Sequence, residues 1–141
     1  MKPFKVGNLK IDDNKCIIIA EVGVNHNCNL KIARKLIREA KKNGADIVKF
    51  QTYKAEKLSI KESPQFKILN GKVVKKGALF NSYKKVDKFE IKEYKFLKKI
   101  CDKYKIQFMS TPFDEDAVDE LYKLGVKRFK IAGFESTDLR F

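Results

Sequence analysis

Short apolar runs alternate along this chain with stretches in which apolar residues recur every three or four positions. That alternation predicts successive βα units around a parallel sheet. Four buried strands are expected, over 16–21 (CIIIAE), 46–51 (DIVKFQ), 106–110 (IQFMS) and 128–132 (RFKIA). Each is a brief run rich in β-branched or aromatic residues and too short for a helix. Ahead of them, Phe4 and Val6 precede Gly7-Asn8 and Leu9 follows, so residues 3–10 read as a small hairpin. After the first strand, Asn27 or Asn29 can cap a helix whose apolar positions are Leu30, Ala33, Leu36, Ile37 and Ala40, ending at Asn43-Gly44. A second helix is expected over about 88–104, with Leu97, Ile100, Cys101 and Tyr104 on one face. Thr111-Pro112 reads as a cap with proline in the first turn of a third helix, whose apolar face is Ala117, Val118, Leu121 and Leu124. Ser136-Thr137-Asp138 reads as the cap of another. Residues 52–88 are too long for an ordinary connection and are expected to be either a functional loop over a site or partly disordered.

Polar residues interrupt these strands where both faces should be apolar. Side chains alternate along a strand, so Val48 and Phe50 share one face of the second strand while Lys49 and Gln51 share the other. In the fourth strand Lys130 lies opposite Phe129 and Ile131, and Glu21 ends the first strand in the same manner. A buried lysine is costly unless an anion meets it. All four exceptions fall toward the C-terminal ends of the strands, where parallel α/β folds bind ligands. Two ammonium groups converging from separate strands suit a phosphate or carboxylate, and the Ser110 and Thr111 hydroxyls are in position to add donors.

The chain has 141 residues, 43% of them hydrophobic, enough for a real core. Its 32 basic and 18 acidic residues leave a net charge of +14. The lysines are dispersed over exposed helix positions without interleaved stacking aromatics, which argues against nucleic acid. No apolar run is long enough to span a membrane and no leader is evident, so a cytoplasmic location is expected. Cys16, Cys28 and Cys101 are widely spaced and odd in number, which predicts free thiols. His26 is the sole histidine. A metal site needs three or four convergent ligands, so His26 is read as a surface or hydrogen-bonding residue.

The segments IAEVGVNHNCNL (19–30), GADIVKFQTYKAEKL (44–58), FMSTPFDEDAVDEL (108–121) and VKRFKIAGFESTDL (126–139) together resemble the sialic acid synthases, which make N-acetylneuraminate and its legionaminate and pseudaminate relatives. The resemblance implies a (β/α)8 TIM barrel of which this chain carries the N-terminal half, about four parallel strands with intervening helices behind the small hairpin. It implies that phosphoenolpyruvate condenses with the open-chain aldehyde of an N-acetylated amino sugar. A divalent metal, Mn or Mg, polarises the aldehyde, the methylene carbon of phosphoenolpyruvate attacks it, and water adds to the resulting cation before phosphate leaves. By motif match, Lys49, Thr111 and Lys130, with Ser110 beside them, would bind phosphoenolpyruvate. Glu21, Gln51 and Glu135 would lie near the sugar and reacting carbons, with Glu21 the acid/base group. Gly133 stands where the family has serine, and Cys28 where it has glycine or an acid.

A whole barrel needs about 250 residues. Residues 1–141 are therefore expected to form a partial domain without the second barrel half, its metal-binding histidines or the family's C-terminal antifreeze-like domain. Such a chain is expected to be inactive alone and to pair with another copy or with a complementing C-terminal half. The competing readings are a non-catalytic remnant that binds an anion or sugar phosphate, and another phosphoenolpyruvate aldolase of the barrel class.

Overall fold

The computed structural model describes residues 2–6, 9–12, 14 and 16–141. The N-terminal hairpin forms from β1 (Phe4–Val6) and β2 (Leu9–Ile11), paired antiparallel; its expected Gly7-Asn8 turn lies outside the described residues. The main sheet is parallel and runs β3 (Ile19–Gly23), β4 (Ile47–Thr52), β7 (Gln107–Pro112), with β4 in the middle. Helices α1 (Leu30–Lys42), α4 (Ile91–Tyr104) and α5 (Glu115–Lys123) follow the three strands in turn, giving the expected βα alternation.

The first helix is capped by Asn29, whose side chain accepts the N–H groups of Lys31 and Ile32 at 2.9 and 3.2 Å. It packs on α4, and together they bury Ala33, Ile37, Leu97 and Cys101 against Val48 and Phe50 of β4. Burial raises the Cys101 thiol pKa well above its ordinary value. All three cysteines are free.

Five expectations need correction. The first strand begins at Ile19, not residue 16, because its partner β4 begins at Ile47. The third strand runs on through Thr111 and Pro112, which pair with Gln51 and Thr52. The cap of α5 is instead Asp114, whose carboxylate accepts the Ala117 N–H at 3.0 Å. The expected fourth strand is reduced to one parallel bridge between Ser110 and Phe129, with the Lys130 N–H donating to the Ser110 carbonyl at 3.2 Å. Ser136 and Thr137 cap no helix: they sit in a 3-10 turn over Glu135–Thr137 and donate back to the carbonyls of Gly133 and Phe134.

The long connection is ordered into a short helix α2 (Ala55–Leu58), an antiparallel hairpin of β5 (Pro64–Leu69) and β6 (Lys72–Ala78), and helix α3 (Leu79–Lys84). The hairpin turns at Asn70-Gly71, both at positive φ of 50° and 75°, the requirement of a type I′ turn. It carries Phe66, Ile68, Leu69 and Val73 at 52–74% exposure, interleaved with Lys67, Lys72, Lys75 and Lys76. Among the described residues, no helix is long and apolar enough to cross a membrane.

His26 is not a surface residue. It is 1% exposed, its ring stacked 4.5 Å from Phe89, and its Nδ1 accepts the Cys28 N–H at 3.1 Å. Burial lowers its pKa from 6.5 to about 4, against a smaller opposing pull from the Gly23 carbonyl. The unfolded chain therefore binds a proton below pH 6.5 that the folded chain resists until about pH 4. Stability from this group is fully present above pH 6.5 and declines as pH falls through that window, by about 3 kcal/mol. Urea titrations at pH 7 and 4.5 are expected to show the native protein losing about that much more than His26→Phe. An equal loss in both would exclude His26 as the cause.

Candidate functional site: an anion cradle at the strand ends

The parallel register places Glu21, Lys49 and Met109 side by side across the sheet, with Gln51 and Thr111 adjacent two residues further on. These residues share the face opposite the Val48 and Phe50 core, as strand alternation predicts. Lys49 is 4% exposed. Its Nζ lies 2.7 Å from Glu21 Oε2 and donates to Thr111 Oγ1 at 3.4 Å. An ammonium has three N–H donors, and two have partners among the described residues. Glu21 itself is largely exposed. A buried cation held by one exposed carboxylate and one long hydrogen bond is incompletely compensated, and it is suited to receive a further anionic group.

Gln51 is fixed through its backbone, whose carbonyl accepts the Tyr94 hydroxyl at 2.8 Å. The Tyr94 hydroxyl is buried, which raises its pKa. The Gln51 carboxamide has no hydrogen-bond partner among the described residues and lies over Gly23. A Cβ at position 23 would come within 3.1 Å of Gln51 Oε1, and Gly23 sits at φ +54° beside a register shift between Glu21 and Gly23. Glycine is therefore needed twice at this position, for the backbone and for the approach of Gln51.

The other candidates divide. Lys130 follows Phe129, which pairs with Ser110, so Lys130 takes the register position beside Thr111, on the Lys49 face. Its side chain is exposed and reaches no partner in the cradle. Ser110 is placed on the helix-covered face with Phe50, and its hydroxyl shares a 2.7 Å hydrogen bond with Thr52. It is not brought to Lys49, because Ser110 and Thr111 are successive residues of one strand. Glu135 is not brought there either: it lines a separate cleft with Lys57, Asp114 and Arg140.

A cavity of about 260 Å³ adjoins the cradle and is lined by Gln51, Tyr53, Leu58, Tyr83, Val86 and Phe113 among others. Sequence reading did not single out these residues. Tyr53 and Phe113 continue the alternation of Gln51 and Thr111 by one step, a signal that becomes visible only once the strand ends are placed.

Among the described residues, no three His, Cys, Asp or Glu side chains lie together so as to hold a metal ion. The residues present do not fit the divalent cation implied by the resemblance.

A buried lysine, a hydroxyl and a carboxylate thus gather toward the C-terminal ends of parallel strands, where α/β folds place their ligands. The chain belongs to the NeuB family, whose profile matches residues 36–141. It is 40% identical over 89% of its length to an N,N'-diacetyllegionaminic acid synthase of Legionella pneumophila. It is 32% identical over 98% of its length to a pseudaminic acid synthase of Campylobacter jejuni. It spans 35% and 40% of those two relatives. Among solved structures, an N-acetylneuraminic acid synthetase from Leptospira borgpetersenii, in complex with citrate, superposes with a TM-score of 0.80 at 31% identity. That match covers 99% of this chain and 44% of that one.

Proposed function

We propose that this chain supplies the phosphoenolpyruvate-binding half of a nonulosonate synthase, an enzyme that condenses phosphoenolpyruvate with an N-acetylated amino sugar. The fold would then be the first half of a (β/α)8 barrel, and the exposed Ile18, Ile19 and Ile131 would meet the remaining strands or a second copy. The observation that carries this reading is the buried Lys49 ammonium, held between Glu21 and Thr111 with a donor to spare.

Lys49 and Thr111 bind the anionic end of phosphoenolpyruvate, and Lys130 adds charge from the next register position. These contacts hold the methylene carbon toward the aldehyde carbon it attacks. A C–C bond forms, the aldehyde oxygen takes up a proton, water adds to the cationic carbon, and phosphate departs. Glu21, displaced from Lys49 by the arriving anion, is the carboxylate that accepts or returns protons. The roles assigned to these residues use no metal. Free thiols such as exposed Cys16 are in keeping with a reducing compartment such as the cytoplasm.

Phosphate release from phosphoenolpyruvate, with Mn and N-acetylmannosamine, tests the reading. The chain alone is expected to be inactive, and activity is expected when a C-terminal half of a NeuB-family synthase is added. Turnover by the chain alone would refute the half-site reading. Phosphoenolpyruvate binding without release in any combination would favour the remnant.

A further inference from the structure

From Phe66 to Gly77 every residue of the β5–β6 hairpin is exposed, so neither face of this ribbon lies on the body of the chain. Its root is tied down: the Leu79 N–H donates to the Ser63 carbonyl at 2.8 Å, and the Ser82 hydroxyl donates to Gln65 Oε1 at 2.8 Å. Beyond that root the ribbon extends about 15 Å at the usual rise per residue. Cross-strand partners share a face. Ile68 pairs with Val73 and Phe66 with Lys75 on one face, and Leu69 pairs with Lys72 and Lys67 with Val74 on the other. Aliphatic side chains therefore gather at the tip, around the Asn70-Gly71 turn, with Lys72 beside it and Lys67, Lys75 and Lys76 behind. None of the four lysines has an ion-pair partner among the described residues. No acidic residue lies between Pro64 and Ala78.

The charge of this ribbon calls for an anionic partner and its tip for an apolar one. A single-stranded nucleic acid would need several stacking aromatics, and the ribbon has Phe66 alone. A second copy of the ribbon would bring the same four cations. An acidic protein would need about 800 Å² of complementary surface on each side, and a ribbon about 10 Å wide and about 15 Å long falls short of that. An anionic bilayer meets both demands without shape complementarity. Aliphatic side chains enter the boundary between headgroups and acyl chains, about 5–10 Å deep, while lysines reach back to the phosphates. We propose that the β5–β6 hairpin is a peripheral membrane anchor that inserts Ile68, Leu69 and Val73 into an anionic phospholipid surface and sets Lys67, Lys72, Lys75 and Lys76 on its headgroups. No spanning segment is involved. None of these residues belongs to the anion cradle, and the anchor does not depend on the proposed function.

The test is co-sedimentation of the 141-residue chain with phosphatidylcholine vesicles, with and without about one-third phosphatidylserine. Binding is expected on the anionic vesicles only, and it is expected to fall steeply as NaCl is raised from about 0.1 to about 0.5 M. Ile68→Ser combined with Val73→Ser, which keeps every charge, is expected to weaken partition about tenfold. Lys67→Gln combined with Lys75→Gln is expected to weaken it about 25-fold, about fivefold for each lysine. The chain contains no tryptophan, so Leu69→Trp places a single reporter at the tip, whose emission is expected to shift to the blue on anionic vesicles. A retained thermal transition shows that each variant is folded. Absence of vesicle binding, equal binding to neutral vesicles, or native binding by either double variant would overturn the anchor. An unshifted tryptophan would do so too, since the +14 net charge would then act without insertion. A blue shift produced by polyglutamate in place of vesicles would make an acidic protein the partner and would equally overturn it.

Discussion

Replacing Lys49 with methionine is expected to weaken phosphoenolpyruvate binding about a hundredfold while leaving the urea midpoint unchanged or higher. The two effects separate because the lysine is poorly compensated in the free protein. Its ammonium is 4% exposed and is met by a largely exposed carboxylate at 2.7 Å and a hydroxyl at 3.4 Å. Removing a buried charge in favour of an apolar side chain of similar volume is often neutral or stabilising. Its partner Glu21 then remains in contact with water, so no buried charge is orphaned. Calorimetric titration with phosphoenolpyruvate and urea unfolding of the same samples check both halves. Affinity within threefold of the native value would remove the anion cradle from the account of function. A large loss of stability would make Lys49 a structural residue.

The largest stability effect is expected on the other side of the same strand. Phe50 is fully buried, 5.4 Å from Phe108 and 5.8 Å from His26 between ring centroids. Its strand is paired on both sides, so the surrounding backbone has little freedom to close a void. Phe50→Ala is expected to cost about 3–5 kcal/mol. Against a typical total of about 5–15 kcal/mol, that would remove the folded baseline at ambient temperature. Phe50→Leu, which leaves a smaller void, should retain a cooperative urea transition at a lower midpoint. A loss below about 1 kcal/mol for the alanine variant would mean that this face is not the centre of the core.

Alternation along DIVKFQ was enough to divide Lys49 and Gln51 from Val48 and Phe50, and the structure keeps that division. Period-two patterning survives tertiary context because a slip of one residue would expose the whole apolar set. Ends and connections were less legible. Thr111-Pro112 carries the local chemistry of a helix cap, yet the β4 ladder continues through both residues. Once the strand extends that far, Ser110 and Thr111 must face apart. The Asn70-Gly71 turn is a local hairpin signal, but the flanking Lys-rich residues lack the one-sided apolar pattern that would have marked them as strands. His26 gave no sign of burial, because its environment comes from Phe89, 63 positions later in the chain. The cavity beside Gln51 was hidden for a related reason: its walls come from four separate connections.

The exposed β5–β6 hairpin bears on how copies of this chain behave toward one another. Two strands with apolar side chains in solvent and unpaired outer edges form a template for association. Between Pro64 and Ala78 there are four lysines and no acidic residue, so every approach of one hairpin to another brings like charges together. Part of the +14 net charge is therefore a colloidal safeguard, and it weakens as added salt shortens the reach of the repulsion.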